Sequence, residues 1–133
     1  MNARHNRKWV WRAGRSAYGA PMATFVKSVT FDCSDALVVA RFWAAALGGE
    51  LDEDSTPEKA YVEAPGWGGP NLWFQRVPEP RTVKNRMHFD LRAPGSIEDE
   101  VARLKALGAT VGQQHDDLTV MHDPEGNEFC VER

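Results

Sequence analysis

The chain holds only two cysteines in 133 residues, Cys33 and Cys130. Both lie in apolar, strand-like runs. That suits buried free thiols in a reducing compartment better than a disulfide framework. No apolar run approaches the roughly 18 residues a membrane span needs, and no stretch resembles a secretory h-region. These absences point to a cytoplasmic protein with no membrane partner. A basic body is also missing. Arg4, Arg7, Lys8, Arg12 and Arg15 crowd into residues 1–21 with no acid among them, which leaves 11 basic against 19 acidic residues in the rest. Phosphate binding needs clustered positive charge, so no nucleic-acid partner is expected.

What is present describes one ordinary domain. Hydrophobic residues make up 42% and charged residues 26% of the chain, enough for a single core without staples. Residues 1–21 show no clean period and read as a basic N-terminal extension outside the fold. Met22 opens a more regular sequence, and the domain is placed at 22–133.

Thr24 to Cys33 alternates apolar and polar residues, with Phe25, Val29, Phe31 and Cys33 on one face, and reads as a strand. Ser34 or Asp35 can then cap a helix. Ala36, Val39, Ala40, Trp43 and Leu47 fall on one helical face, and Gly48 ends it. Short strands are predicted at Glu50–Asp52, Ala60–Ala64 and Asn71–Val77. The two prolines of Val77–Lys84 make a stiff connection, and the pattern restarts. Asn85–Arg92 reads as a strand, Ser96 caps a helix carrying Ile97, Val101 and Leu104, and Gly108 stops it. Strands at Thr110–Gln113, Leu118–His122 and Glu128–Glu132 follow. Asp123-Pro124-Glu125-Gly126-Asn127 is strong turn chemistry between the last two.

The halves match. Phe31-Asp32-Cys33 precedes the first helix and Phe89-Asp90-Leu91 the second; Leu47-Gly48 ends the first and Leu107-Gly108 the second. This is an internal repeat of a βαβββ unit, about 24–77 and about 85–133. A four-stranded sheet with one helix leaves a face uncovered, and two such sheets can enclose a cleft.

Phe42-Trp43 with Leu47-Gly48-Gly49, Met87-His88-Phe89-Asp90-Leu91 and Asp123–Asn127, in this order on a βαβββ repeat, give the chain its resemblance to the vicinal oxygen chelate superfamily of glyoxalase I, bleomycin resistance proteins and extradiol dioxygenases. Phe74–Pro80, Lys84-Asn85-Arg86 and Asn127–Val131 look like the glyoxalase-like subgroup common in actinobacteria. The resemblance covers Ala23 to Arg133. It implies an α+β fold of paired βαβββ modules forming a cup-shaped sheet. In metal-using members, four strand residues hold a divalent ion that binds vicinal oxygens of the substrate.

Carried over, the first-strand position falls near Ser28 or Thr30, the fourth at Gln75, the fifth at His88 and the last at Cys130, where such enzymes place Glu. The His/Glu set is therefore incomplete. No cofactor is assigned, and a divalent metal, if bound, would use His88, Gln75 and Cys130. The expectation is a glyoxalase-like protein that binds a small organic molecule in the cup, with metal-independent lyase- or isomerase-type chemistry. The alternatives are a sequestering protein of the bleomycin-resistance type and a divalent-metal lyase or dioxygenase.

His88 is the candidate acid/base, against a structural histidine bonded within its sheet. Asp90, two residues on, shares its face and can orient the imidazole. Gln75 and Thr30 read as cup-lining groups, and Cys130 as a cup-wall thiol rather than a nucleophile. Trp67 and Trp73 read as aromatic cup walls or as core. Arg76, Lys84 and Arg86 flank the connection, to hold an anion or to pair with acids such as Glu79. Superfamily members often dimerise, some by exchanging modules, so the resemblance also implies a homodimer, with Val77–Lys84 as the hinge of any exchange.

Overall fold

The computed structural model describes residues 23–66 and 69–133. The basic extension and Trp67 lie outside them. The first half runs β1 (Ser28–Cys33), α1 (Ala36–Leu47), β2 (Glu50–Leu51), β3 (Lys59–Glu63) and β4 (Asn71–Arg76). The second runs β5 (Phe89–Arg92), α2 (Ile97–Leu107), β6 (Thr110–Gln114), β7 (Leu118–His122) and β8 (Glu128–Glu132). The two sheets have the same order, β1-β4-β3-β2 and β5-β8-β7-β6. In each, the first strand pairs parallel with the last and the other pairs are antiparallel. The fold is α+β, built from paired βαβββ modules. Among the described residues, no helix is long and apolar enough to cross a membrane.

The predicted caps form as expected. The Asp35 carboxyl accepts from the Leu37 and Val38 amides at the start of α1, and the Ser96 hydroxyl accepts from the Asp99 amide at the start of α2. Gly48 ends α1 at φ 66°, a left-handed conformation that costs a side-chain-bearing residue energy. Next to it, a Cβ on Gly49 would stand 2.7 Å from the Glu63 carbonyl oxygen. Only glycine lets the chain enter β2 that close to β3.

Two predicted strands start four residues later than expected. β1 starts at Ser28, and Phe25 and Val26 stay 81% and 67% exposed. Among the described residues no strand pairs with them, and the ladder with β4 opens only at Ser28–Asn71. β5 starts at Phe89, so His88 stands just before the strand rather than in its middle. The ladder with β8 opens at Phe89–Phe129. One residue earlier, the Glu128 carboxyl turns instead to the connection, accepting from Arg81 Nη1 at 2.8 Å and from the Asn85 amide at 3.3 Å.

Each helix covers one face of its sheet, and the two covered faces share one core. Trp43, Phe74, Phe129 and Leu72 are nearly or wholly inaccessible; truncating a buried aromatic of this kind costs about 3–5 kcal/mol. Trp43 packs edge-on against Phe129 at 5.1 Å and Phe89 at 5.4 Å, while Phe31 meets Phe89 at 5.4 Å. Rings of the first module thus pack on rings of the second.

Polar contacts reinforce this union. Asp123 in the β7–β8 turn is 3% exposed and accepts from Trp43 Nε1 at 2.9 Å. Glu125 accepts from the Ser34 and Asp35 amides at 2.8 and 3.1 Å, ahead of α1. Arg103 on α2 donates to the Ala46 and Ala45 carbonyls at the end of α1, at 2.8 and 3.3 Å.

Candidate functional site

Strand alternation sends buried residues to the helix side and the others to the open face. In the first module, Ala60, Val62, Leu72 and Phe74 are buried under α1. Thr30, Asp32, Tyr61, Trp73 and Gln75 therefore face the open side. In the second module, Phe129 and Val131 are buried, and Asp90 and Cys130 face the open side. The repeat makes the two sets equivalent. Asp32 pairs with Gln75 across β1 and β4, and Asp90 pairs with Cys130 across β5 and β8. Thr30 and His88 each stand two residues before the aspartate.

The two sets behave differently. In the first, Gln75 Nε2 donates to Asp32 Oδ1 at 2.8 Å, so the amide is already committed. Trp73 packs on Tyr61 with ring centroids 4.5 Å apart, and Lys59 Nζ lies 5.2 Å above its ring. In the second, His88, Asp90 and Cys130 each offer a ligand atom within 4.8 Å of the others. His88 Nε2 lies 3.9 Å from Asp90 Oδ1, and the two side chains are 45% and 54% exposed. Cys130 is 7% exposed. Burial, with the negative Asp90 and Glu132 nearby, pushes its thiol up from the ordinary range. Without a bound cation it stays protonated near neutral pH and is no nucleophile. Cys33 faces the core, where burial and the surrounding acids push it up to about 11.

A cavity of about 830 Å³ opens between the modules beside the connection. Val29, Phe31, Trp43 and Phe89 supply its apolar wall; Thr30, Asp32, Arg86 and His88 contribute polar groups. Four acids, Asp32, Glu79, Glu125 and Glu128, line it against two arginines, Arg81 and Arg86. Glu128 is spent on Arg81 and Glu125 on the start of α1.

Of the predicted site residues, the cavity gathers Thr30 and His88. Gln75, Trp73, Asp90 and Cys130 share the open faces but are not among its walls. Of the three predicted basic residues, only Arg86 reaches it, and Arg76 pairs with Glu58 at 3.5 Å. Sequence reasoning missed Asp32, Phe31 and Arg81. The repeat held a signal for Asp32, because it occupies the place of Asp90. The four-position metal set of the resemblance does not fit: its first-module half is a threonine and an amide turned to Asp32.

Residues 28–132 match a family described as the glyoxalase-like domain. The chain belongs to that family. No curated protein sequence matches it significantly. Solved structures share the fold. A glyoxalase/bleomycin resistance protein/dioxygenase family enzyme from Burkholderia phytofirmans is 18% identical, over 81% of this chain and 97% of that one, with a TM-score of 0.64. A possible glyoxalase from Bacillus cereus is 19% identical, over 84% and 100%, at 0.62. The fosfomycin resistance protein FosX from Listeria monocytogenes, in complex with Mn(II) and dihydroxypropylphosphonic acid, is 13% identical, over 84% and 90%, at 0.65. This glyoxalase-like domain therefore shares its fold with these proteins.

Proposed function

We propose that this glyoxalase-like protein binds a small organic molecule in the cavity between its modules. The observation that carries the reading is the cavity itself. Its volume of about 830 Å³ lies in the range of small-molecule sites, and its wall sets aromatic rings beside many polar and charged groups. The excess of acids favours a neutral or cationic molecule with a flat apolar part. Planar aromatic amines and matched aromatic carboxylates test this by thermal shift. An amine at 100 times its Kd should stabilise the fold by about 2.7 kcal/mol, and Thr30→Trp, which puts a bulky ring into the cavity, should abolish the shift. A shift that survives Thr30→Trp, or a panel with no binder, counts against the site.

A second reading adds chemistry. His88 stands at the cavity with Asp90 beside it, an arrangement that supports acid/base proton transfer of the lyase or isomerase kind. It fails if His88→Ala converts an identified ligand at the wild-type rate; sequestration of the bleomycin-resistance type then stands. A homodimer in a reducing, cytoplasmic compartment belongs to the same proposal. It is supported by the two free thiols and by Val83 and Met87, 75% and 82% exposed on the connection. Light scattering showing a monomer at working concentration overturns the dimer.

A further inference from the structure

We propose that the connection between the modules is a lid on the cavity, latched shut by Arg81. Residues 77–88 make one side of the cavity, with Val77, Glu79, Pro80, Asn85 and Met87 on its wall. Each end is pinned. The Val77 amide donates to the Cys33 carbonyl at 2.9 Å, and the ladder with β8 opens at Phe89. Burial does not hold the span between. Residues 78–88 are exposed apart from the half-buried Asn85, and even Val83 and Met87 lie open to solvent.

Two polar clamps hold it instead. Arg81 Nη1 donates to Glu128 Oε1 at 2.8 Å and Nη2 to the Gly126 carbonyl at 2.7 Å. Nη1 also reaches the Val83 carbonyl at 2.9 Å, which bends the span back on itself. Four residues on, Asn85 Nδ2 donates to Asn127 Oδ1 at 2.7 Å and the Asn85 amide to Glu128 Oε2 at 3.3 Å. Among the described residues, no other hydrogen bond joins residues 78–88 to either module. The Glu128 side chain is 11% exposed, so its charge-assisted bond to Arg81 is little screened and makes the stronger clamp. The catch cannot follow the lid. Its turn is tied to the first module, Asp123 to Trp43 Nε1 at 2.9 Å and Glu125 to the Ser34 amide at 2.8 Å. A segment with few buried apolar contacts opens locally at small cost, so removing the guanidinium frees the span to swing about Val77 and Phe89. Shut, it walls the cavity from solvent; open, it admits a ligand. That gating use rests on the cavity being a binding site, whereas the latch stands without it.

Proteolysis and thiol labelling of the full chain test it. Trypsin cuts after Lys84 and Arg86, which lie inside the span. Arg81→Gln should speed both cuts at least tenfold, read by mass spectrometry. Cys33 lines the cavity and is buried. In a Cys130→Ser background, Arg81→Gln should speed its reaction with a small methanethiosulfonate at least tenfold. Cys130 is not among the cavity walls; in a Cys33→Ala background its rate should stay within twofold. Glu128→Ala, which removes the catch, should reproduce both increases, with far-UV circular dichroism confirming the fold of each variant. Three results overturn the proposal. The first is unchanged cutting at Lys84 and Arg86 in both folded variants. The second is faster cutting with unchanged Cys33 labelling, which would make the span a loop that does not cover the cavity. The third is Cys33 and Cys130 speeding up together, which would mean loosening of the whole fold. Neither readout uses a ligand, so the absence of a binder counts against the cavity as a site and not against the latch.

Discussion

Asp123→Ala should be among the most destabilising single substitutions outside the aromatic core. The side chain, 3% exposed, accepts four hydrogen bonds. Oδ1 takes the Glu125 and Asn127 amides at 2.8 and 2.9 Å, and Oδ2 takes Asn127 Nδ2 and Trp43 Nε1 at 2.8 and 2.9 Å. Alanine leaves the Trp43 indole and both Asn127 donors without this partner, in a place water does not reach. An orphaned buried donor costs about 1–3 kcal/mol. Counting some relaxation, the loss should be about 3–5 kcal/mol, a fall in Tm of about 15 °C. Urea unfolding followed by far-UV circular dichroism measures it without relying on Trp43 fluorescence. A double-mutant cycle with Trp43→Phe isolates the link between modules. Trp43→Phe should cost less in the Asp123→Ala background, with a coupling of about 1–2 kcal/mol. A loss below 1 kcal/mol, or zero coupling, would refute the argument that this carboxyl ties α1 to the final hairpin.

Further predictions come from other contacts. Arg103→Ala should cost about 1–2 kcal/mol, because it frees the last carbonyls of α1 and breaks the 2.8 Å pair with Glu100; urea midpoints check this. The hydrogen bond from Arg103 holds the Glu100 carboxyl below its ordinary 4.5. This contribution is therefore present above pH 4.5 and lost as the pH falls further. In Arg103→Ala, acid should cost less stability over that range, and parallel pH curves for the two proteins would refute the assignment. Gly49→Ala should cost about 1–3 kcal/mol through the clash with the Glu63 carbonyl, read as a thermal shift. Both thiols should resist alkylation at pH 8 in the native protein and react once urea unfolds it; rapid native labelling followed by mass spectrometry would show that one is open. Burial raises Cys33, so its contribution to stability should be present below pH 9 and fade as the pH rises toward 11.

Local pattern was enough for much of this architecture. Period-2 and period-3.6 stretches, the caps at Asp35 and Ser96 and the stop at Gly48 are interactions within a few residues, so they are written in the chain directly. The repeat of Phe31-Asp32 as Phe89-Asp90 fixed the βαβββ pairing. The same logic misjudged Thr24–Lys27 and His88, because a strand ends where its neighbour stops pairing, and that neighbour is distant in sequence. The site was less legible for a similar reason. Cys130 was visible as an oddity in the last strand. Its closeness to Asp90 depends on parallel pairing of strands about forty residues apart in sequence.

By itself the sequence determined the two modules, their helices, the turn at Asp123–Asn127 and the broken His/Glu pattern, because those depend on local spacing and residue type. Only the tertiary structure decided which polar groups are free. It spends Gln75 on Asp32, Glu128 on Arg81 and Asp123 on Trp43, and it leaves His88, Asp90 and Cys130 facing one another. Hydrogen bonds between distant strands make those choices, and no periodicity along the chain records them.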